Sequence, residues 1–206
     1  MHISEGVLSP SILVAGAVLT TAGVAIGLKH IDQKDIPTVG ILSAAFFVAS
    51  LVHVPLGPIS VHLILNGLLG FILGWKAFPA ILVGLTLHAL LFQYGGITTL
   101  GVNTLNMALP AVTCYYFFGR VVRNNAGQLG FSIAAFACGC CAVLLSGILV
   151  ALSLYLTGDA FLLAAKVAVA AHLPVMLIEG LLTAACTLFL RRVKPELLEG
   201  QYAHKL

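Results

Sequence analysis

The sequence predicts an all-α integral membrane protein, a bundle of about seven transmembrane helices with its amino-terminus outside and its carboxy-terminus in the cytoplasm. Three observations carry that prediction. Of the 206 residues, 60% are hydrophobic and 8% charged, the apolar residues fall in long runs, and the basic residues recur beside alternate runs. Soluble domains carry charge on about a quarter of their residues, so no water-soluble fold hides this much apolar surface. With about 20 apolar residues needed per bilayer crossing, the length fits one domain over 1–206. It divides into a leading segment at 1–8, a bundle at 9–192 and a tail at 193–206.

Polar punctuation sets the runs at Ser9 to Leu28, Pro37 to Val54, Val61 to Gly74, Phe78 to Phe92, Leu100 to Phe118, Phe131 to Leu156, and Phe161 to Leu190. The third and fourth are short, which suits tilted or sheltered helices, and the last is long enough to kink at Pro174. No ten-residue alternation marks a β-barrel, and an open sheet edge cannot face lipid, so helices are expected throughout.

Loop charge then sets the topology. Lys29 and Lys34 follow the first run, Lys76 the third, Arg120 and Arg123 the fifth, and Arg191, Arg192, Lys194 and Lys205 the seventh. These are nine of the ten basic residues; only Lys166 stands elsewhere. Basic loops stay cytoplasmic, which places the amino-terminus outside and makes the span count odd. The net charge of +3 is small and scattered, so nothing points to nucleic acid, and the bilayer is the expected surroundings. Residues 1–6 lack Lys and Arg, so a cleavable signal peptide is not expected. Met1 is expected to persist, because methionine is trimmed efficiently only before small residues and His2 is large.

Five cysteines (Cys114, Cys138, Cys140, Cys141 and Cys186) lie inside apolar runs and read as small packing residues, since Cys-x-Cys-Cys lacks metal-site spacing. Gly23-x-x-x-Gly27 and Gly70-x-x-x-Gly74 are spaced for close helix packing.

Ionisable and amide side chains are costly in lipid, so those retained there mark candidates. They are His53, His62, Asn66, His88, Gln93, Asn103, Asn106, Lys166, His172 and Glu179. In the topology above, His53, His62, Asn103 and Asn106 approach the outer ends of their runs, on the side of Met1 and His2. An α-amine, a deprotonated amide nitrogen and an imidazole within two residues close adjacent chelate rings around one ion. Such near-planar nitrogen ligation suits nickel(II) or copper(II) better than zinc or magnesium.

Four ordered motifs then bear a resemblance to one family. They are Met1-His2-Ile3-Ser4-Glu5-Gly6; Ser60-Val61-His62-Leu63 with Asn66-Gly67; Gly95-Gly96-Ile97-Thr98-Thr99-Leu100-Gly101-Val102-Asn103-Thr104-Leu105-Asn106-Met107; and His172-Leu173-Pro174 with Glu179-Gly180. From Met1 to about Arg192 the chain resembles the substrate-binding membrane component of nickel and cobalt energy-coupling factor transporters, the CbiM/NikM group. The resemblance implies a multi-pass protein of the prokaryotic cell membrane whose segment 1–8 folds back into the bundle. It implies that the Met1 amine, the His2 amide and imidazole, and the His62 imidazole bind the transported nickel(II), or alternatively cobalt(II). No further cofactor is implied. It places Asn103 and Asn106 in a segment that covers or orients the site. Implied partners are a membrane coupling protein, ABC-type ATPase subunits and, in some systems, a small accessory membrane subunit.

The residues themselves leave other roles open. His88 reads as a supporting contact or a hydrogen-bonded interior histidine. His53 reads as a weak outer ligand or an interfacial histidine at a helix end. Lys166, His172 and Glu179 read as an internal polar network, or as the path of an ion- or proton-coupled secondary transporter or channel. No His-Glu-x-x-His motif supports a metalloenzyme, and no Walker sequence supplies an ATP site of the chain's own, so a transport component rather than an enzyme is expected. Because ligands must be deprotonated, the ion is expected to displace protons from Met1, His2 and His62 at mildly acidic pH.

Overall fold

The computed structural model describes residues 2–56, 59–123 and 127–198. Among them are seven α-helices: α1 (Pro10–Lys29), α2 (Ile36–Ala49), α3 (Asn66–Leu73), α4 (Ala77–Phe92), α5 (Leu100–Arg123), α6 (Gln128–Tyr155) and α7 (Leu162–Val193). Four stretches are long and apolar enough to cross a bilayer: Pro10–Lys29, Asn66–Phe92, Gln128–Tyr155 and Asp159–Val193. At about 1.5 Å per residue, the eight residues of α3 rise only about 12 Å, less than half a hydrocarbon core. This helix lies inside the bundle, with all eight residues buried.

Two antiparallel strands interrupt the helical plan, β1 (His53–Leu56) and β2 (Ile59–His62). They correct the expectation of helix throughout: the second run stops as helix at Ala49, and His62 sits on a strand. Pro55 and Pro58 disfavour helix, and the β-branched Val54, Ile59 and Val61 favour strand. In β2, the amide of Ser60 donates to the carbonyl of His2 at 3.1 Å, so the leading segment covers a strand edge that lipid could not satisfy.

Packing follows the small residues. The buried face of α1 is Gly16, Thr20, Gly23 and Gly27, and a methyl group at Gly23 would collide with the Phe78 ring. The rest of α1 is open, with Val14, Val18, Leu19 and Leu28 exposed in the way a lipid-facing surface requires. At the centre, the N-terminal turn of α3 is fixed by polar side chains. Asn66 Nδ2 donates to Ser146 Oγ of α6 at 2.8 Å and to the Met107 carbonyl of α5 at 3.2 Å. From α7, Glu179 Oε1 accepts the amides of Ile64 and Leu65, the latter at 2.8 Å. Leu65 takes a left-handed conformation (φ 52°) to enter the helix. The Glu179 carboxyl oxygen thus serves main-chain amides at the start of α3 that the helix itself leaves unpaired.

The connections sort to two ends of the bundle. At one, Lys29, Lys34, Lys76 and Glu196 line a cleft of about 580 Å³. There Lys76 and Asp35 form a 2.9 Å ion pair with side chains 11% and 18% exposed. Asp35 is raised by burial, but the Asp32 amide and Lys76 outweigh this and hold its carboxyl below the usual range. The tail is not free as far as it is described, since Leu198 is buried in the core. At the opposite end, the leading segment meets β2 and the start of α5, and the Ser9 amide donates to Thr157 Oγ1, just beyond α6, at 3.5 Å.

Candidate metal centre

The leading segment enters the bundle as an extended chain held by main-chain hydrogen bonds. Asn103, on the first turns of α5, pairs with both main-chain groups of Ile3: Oδ1 accepts the amide at 2.9 Å, and Nδ2 donates to the carbonyl at 3.1 Å. Nδ2 also donates to Thr99 Oγ1 at 3.2 Å, which orients the amide. Glu5 Oε1 accepts the Thr98 amide at 3.0 Å, and this bond draws its carboxyl below the ordinary value. The turn at Gly95 and Gly96 has φ of 75° and 125°, which only glycine takes readily. A methyl group on Gly96 would also overlap Glu5 Cγ, so the turn lies directly against the segment.

These ties bring His2 beside His62. Both are 3% exposed, and their ring centroids are 4.5 Å apart. His88 of α4 stands on the other side of His2, with centroids 5.2 Å apart, and Tyr94 closes the group at 6.3 Å.

The hydrogen bonds set the tautomers. A carbonyl can only accept, so His88 Nε2 carries the proton it gives to the Phe47 carbonyl at 2.9 Å. The neutral His88 ring then presents the Nδ1 lone pair to His2 Nε2, 3.3 Å away, and the proton between them belongs to His2. His2 Nδ1 is therefore a lone pair, and it is buried with no hydrogen-bond partner among the described residues. His62 Nδ1 donates to the Leu63 carbonyl at 2.7 Å, which makes Nε2 its lone-pair nitrogen.

The nitrogen left on His2 is the one an amino-terminal chelate requires. Amide nitrogen, Cα, Cβ, Cγ and Nδ1 close a six-membered ring on an ion, whereas Nε2 cannot reach it. Burial holds the His2 imidazole well below its ordinary value of 6.5, so the ring is neutral before any ion arrives. Among the described residues, no three His, Cys, Asp or Glu side chains are placed to hold an ion together. His2 and His62 are the two members of the expected set that stand together. Met1, the remaining member of the expected set, lies outside the described residues.

Other candidates fall elsewhere. Asn106 donates to Ser153 Oγ at 3.3 Å and so joins α5 to α6. His53 opens β1 directly opposite His62 in the strand register. On α7, His172 donates within its own helix to Ala168, and Glu179 serves the start of α3. Lys166 is exposed, off the buried face that carries His172 and Glu179. Sequence reasoning quoted Thr98 and Thr99 within a motif but gave them no role, and it missed Tyr94 and the Phe47 carbonyl, which do not stand out by residue type.

The family described as the cobalt uptake substrate-specific transmembrane region matches residues 2–197. A putative metal transport protein of Haemophilus influenzae is 38% identical over 199 residues, covering 96% of this chain and 97% of that one. A putative fused nickel transport protein NikMN of Archaeoglobus fulgidus is 32% identical over 215 residues, covering 98% of this chain and 70% of that one. The crystal structure of a transition metal transporter superposes with a TM-score of 0.77 at 27% identity, over 100% of this chain and 99% of that one.

Proposed function

This chain belongs to the cobalt uptake substrate-specific transmembrane family as a cobalt/nickel uptake membrane component, and from that premise we propose that it captures its ion through its own amino-terminus. The observation that carries the proposal is the pairing of the buried His2 and His62 rings, with His2 Nδ1 left as an unpartnered lone pair. The Met1 amine and the His2 amide nitrogen close a five-membered ring on the ion, His2 Nδ1 closes the adjoining six-membered ring, and His62 Nε2 completes a near-planar set of four nitrogens. That geometry favours nickel(II), with cobalt(II) as the alternative cargo.

In this reading the site faces the extracytoplasmic side, and the gathering of Lys29, Lys34 and Lys76 at the other end supports that orientation. The chain is a single membrane domain, with 1–8 as its chelating segment, 9–192 as its bundle and 193–206 as its cytoplasmic tail. Asn103 holds the chelating segment in place, and His88 sets the His2 tautomer. Asn106 supports the helix that carries Asn103.

Uptake is driven by ATP hydrolysed on partner ATPase subunits, joined through a membrane coupling protein and, in some assemblies, a small accessory subunit. A fused relative such as NikMN is what recurrent association with further transport segments would produce. A proton path along Lys166, His172 and Glu179 is disfavoured by the exposure of Lys166 away from the other two.

Nickel uptake into vesicles carrying this chain with its partners tests the reading. Uptake should require ATP hydrolysis and should cease with a hydrolysis-deficient partner. Proton-gradient-driven uptake by the isolated chain would overturn it.

A further inference from the structure

The His2 and His62 rings are buried, so an ion arriving from water needs a first point of contact. Three features single out His53. In the antiparallel register it is the direct partner of His62, and paired residues project from the same face with Cβ atoms about 4.5–5.5 Å apart. It is partly exposed where both inner histidines are 3% exposed. Its Nδ1 donates to the Leu51 carbonyl at 3.2 Å, which makes Nε2 the lone-pair nitrogen. The ring is packed on Tyr94, centroids 4.1 Å apart, and Tyr94 is itself 6.3 Å from His2 and 6.0 Å from His88. Tyr94 is fixed in turn by its amide, which donates to the His88 carbonyl at 3.2 Å.

We propose that His53 is an outer ion station, a single-nitrogen ligand that takes the hydrated divalent ion from solution and passes it inward to His62 and His2. The inference rests on the reading of those two residues as the binding pair. At the station, one coordinated water leaves as His53 Nε2 enters the ion's ligand sphere. The paired register then lets His62 Nε2 displace a second water before His53 lets go, so the ion crosses without returning to solution. His53 is released when the amino-terminal chelate closes. It is therefore a ligand of the path and is absent from the final complex.

The test is stopped-flow nickel binding by the purified full-length chain with its native amino-terminus, followed by nickel absorption. His53→Ala and His53→Phe are compared with the unaltered chain, and the Phe variant keeps a ring against Tyr94 while removing the nitrogen. Both should slow association and dissociation together, by about tenfold or more, so that their ratio hardly moves. An unchanged association rate in either variant overturns the station, as does a loss of affinity carried by faster dissociation alone. His62→Ala separates the two levels of the argument. If it binds as the unaltered chain does, the inner pair falls and the station with it. If it loses binding while the His53 variants associate at the normal rate, only the station falls.

Discussion

Replacing Asn103 should damage metal binding although its side chain carries no metal ligand in this account. Asn103 Oδ1 and Nδ2 satisfy the amide and carbonyl of Ile3, and Ile3 is 0% exposed. In Asn103→Ala both main-chain groups lose their partners. Leaving a buried polar group unsatisfied costs about 1–3 kcal/mol, so the docked segment is penalised by about 2–6 kcal/mol. The segment escapes that cost by undocking into water, and apparent affinity then falls with the docked fraction. At about 1.4 kcal/mol per factor of ten, the smaller penalty lowers affinity by up to roughly 30-fold, the full loss being reached where docking has little margin. Asn103→Asp is the sharper variant. It matches the shape and still accepts the Ile3 amide, but it sets a second acceptor against the Ile3 carbonyl, so binding should weaken at least as much. Calorimetry with nickel(II) on the purified chain measures both. Wild-type affinity in Asn103→Ala, or restored affinity in Asn103→Asp, would refute the view that this amide docks the segment.

Other outcomes follow from the same geometry. His88→Ala removes the acceptor that fixes the His2 tautomer and should weaken nickel binding by about 10- to 100-fold, whereas His62→Ala removes a ligand and should exceed that; equal losses would contradict the assignment. The docked chain keeps His2 neutral, while the undocked chain protonates it near 6.5. Docking should thus be insensitive to pH above that value and weaken by up to about 1.4 kcal/mol per pH unit below it. Calorimetry between about pH 5.5 and 7.5 should therefore show falling affinity and more than one proton released per ion, from the amine and the amide; a flat profile would exclude the chelate. At the other end, Lys76→Met breaks the largely buried 2.9 Å ion pair with Asp35 and should cost about 1.5–3 kcal/mol in unfolding free energy measured in detergent. An unchanged melting temperature would show that the pair contributes nothing.

The sequence exposed the larger plan because lipid imposes it. Long apolar runs gave helices close to those found for α1, α4, α6 and α7, and the lysines after the first and third runs meet at one end, with Asp35 paired to Lys76. The middle of the chain was harder to read. Hydropathy does not distinguish Val61 to Gly74 as one helix from a strand followed by an eight-residue helix, because the walls of α5, α6 and α7 shelter both from lipid. Pro55 and Pro58 were the available signal that helix would stop before His62. At the site, His2, His62 and Asn103 were legible as residue types, and folding brings the three together. The Phe47 carbonyl and the direction of each imidazole proton were not legible, since they depend on where the end of α2 falls against α4. Glu179, read as an internal polar residue, in fact bonds two residues beyond His62, a contact spanning more than a hundred positions of sequence.

That the chain's own first nitrogens bind the ion is checked by inserting one Gln between Met1 and His2, a residue large enough that the start methionine is kept. The insertion leaves both imidazoles in place but moves the α-amine out of the five-membered ring. Nickel absorption and calorimetry on the two chains, each with its native start methionine, report geometry and affinity together. An amino-terminal chelate gives a planar-nitrogen nickel spectrum in the unaltered chain, and both that spectrum and high affinity should be lost in the extended one. The same affinity and spectrum in both chains, or an octahedral oxygen-rich spectrum in the unaltered chain, would contradict it.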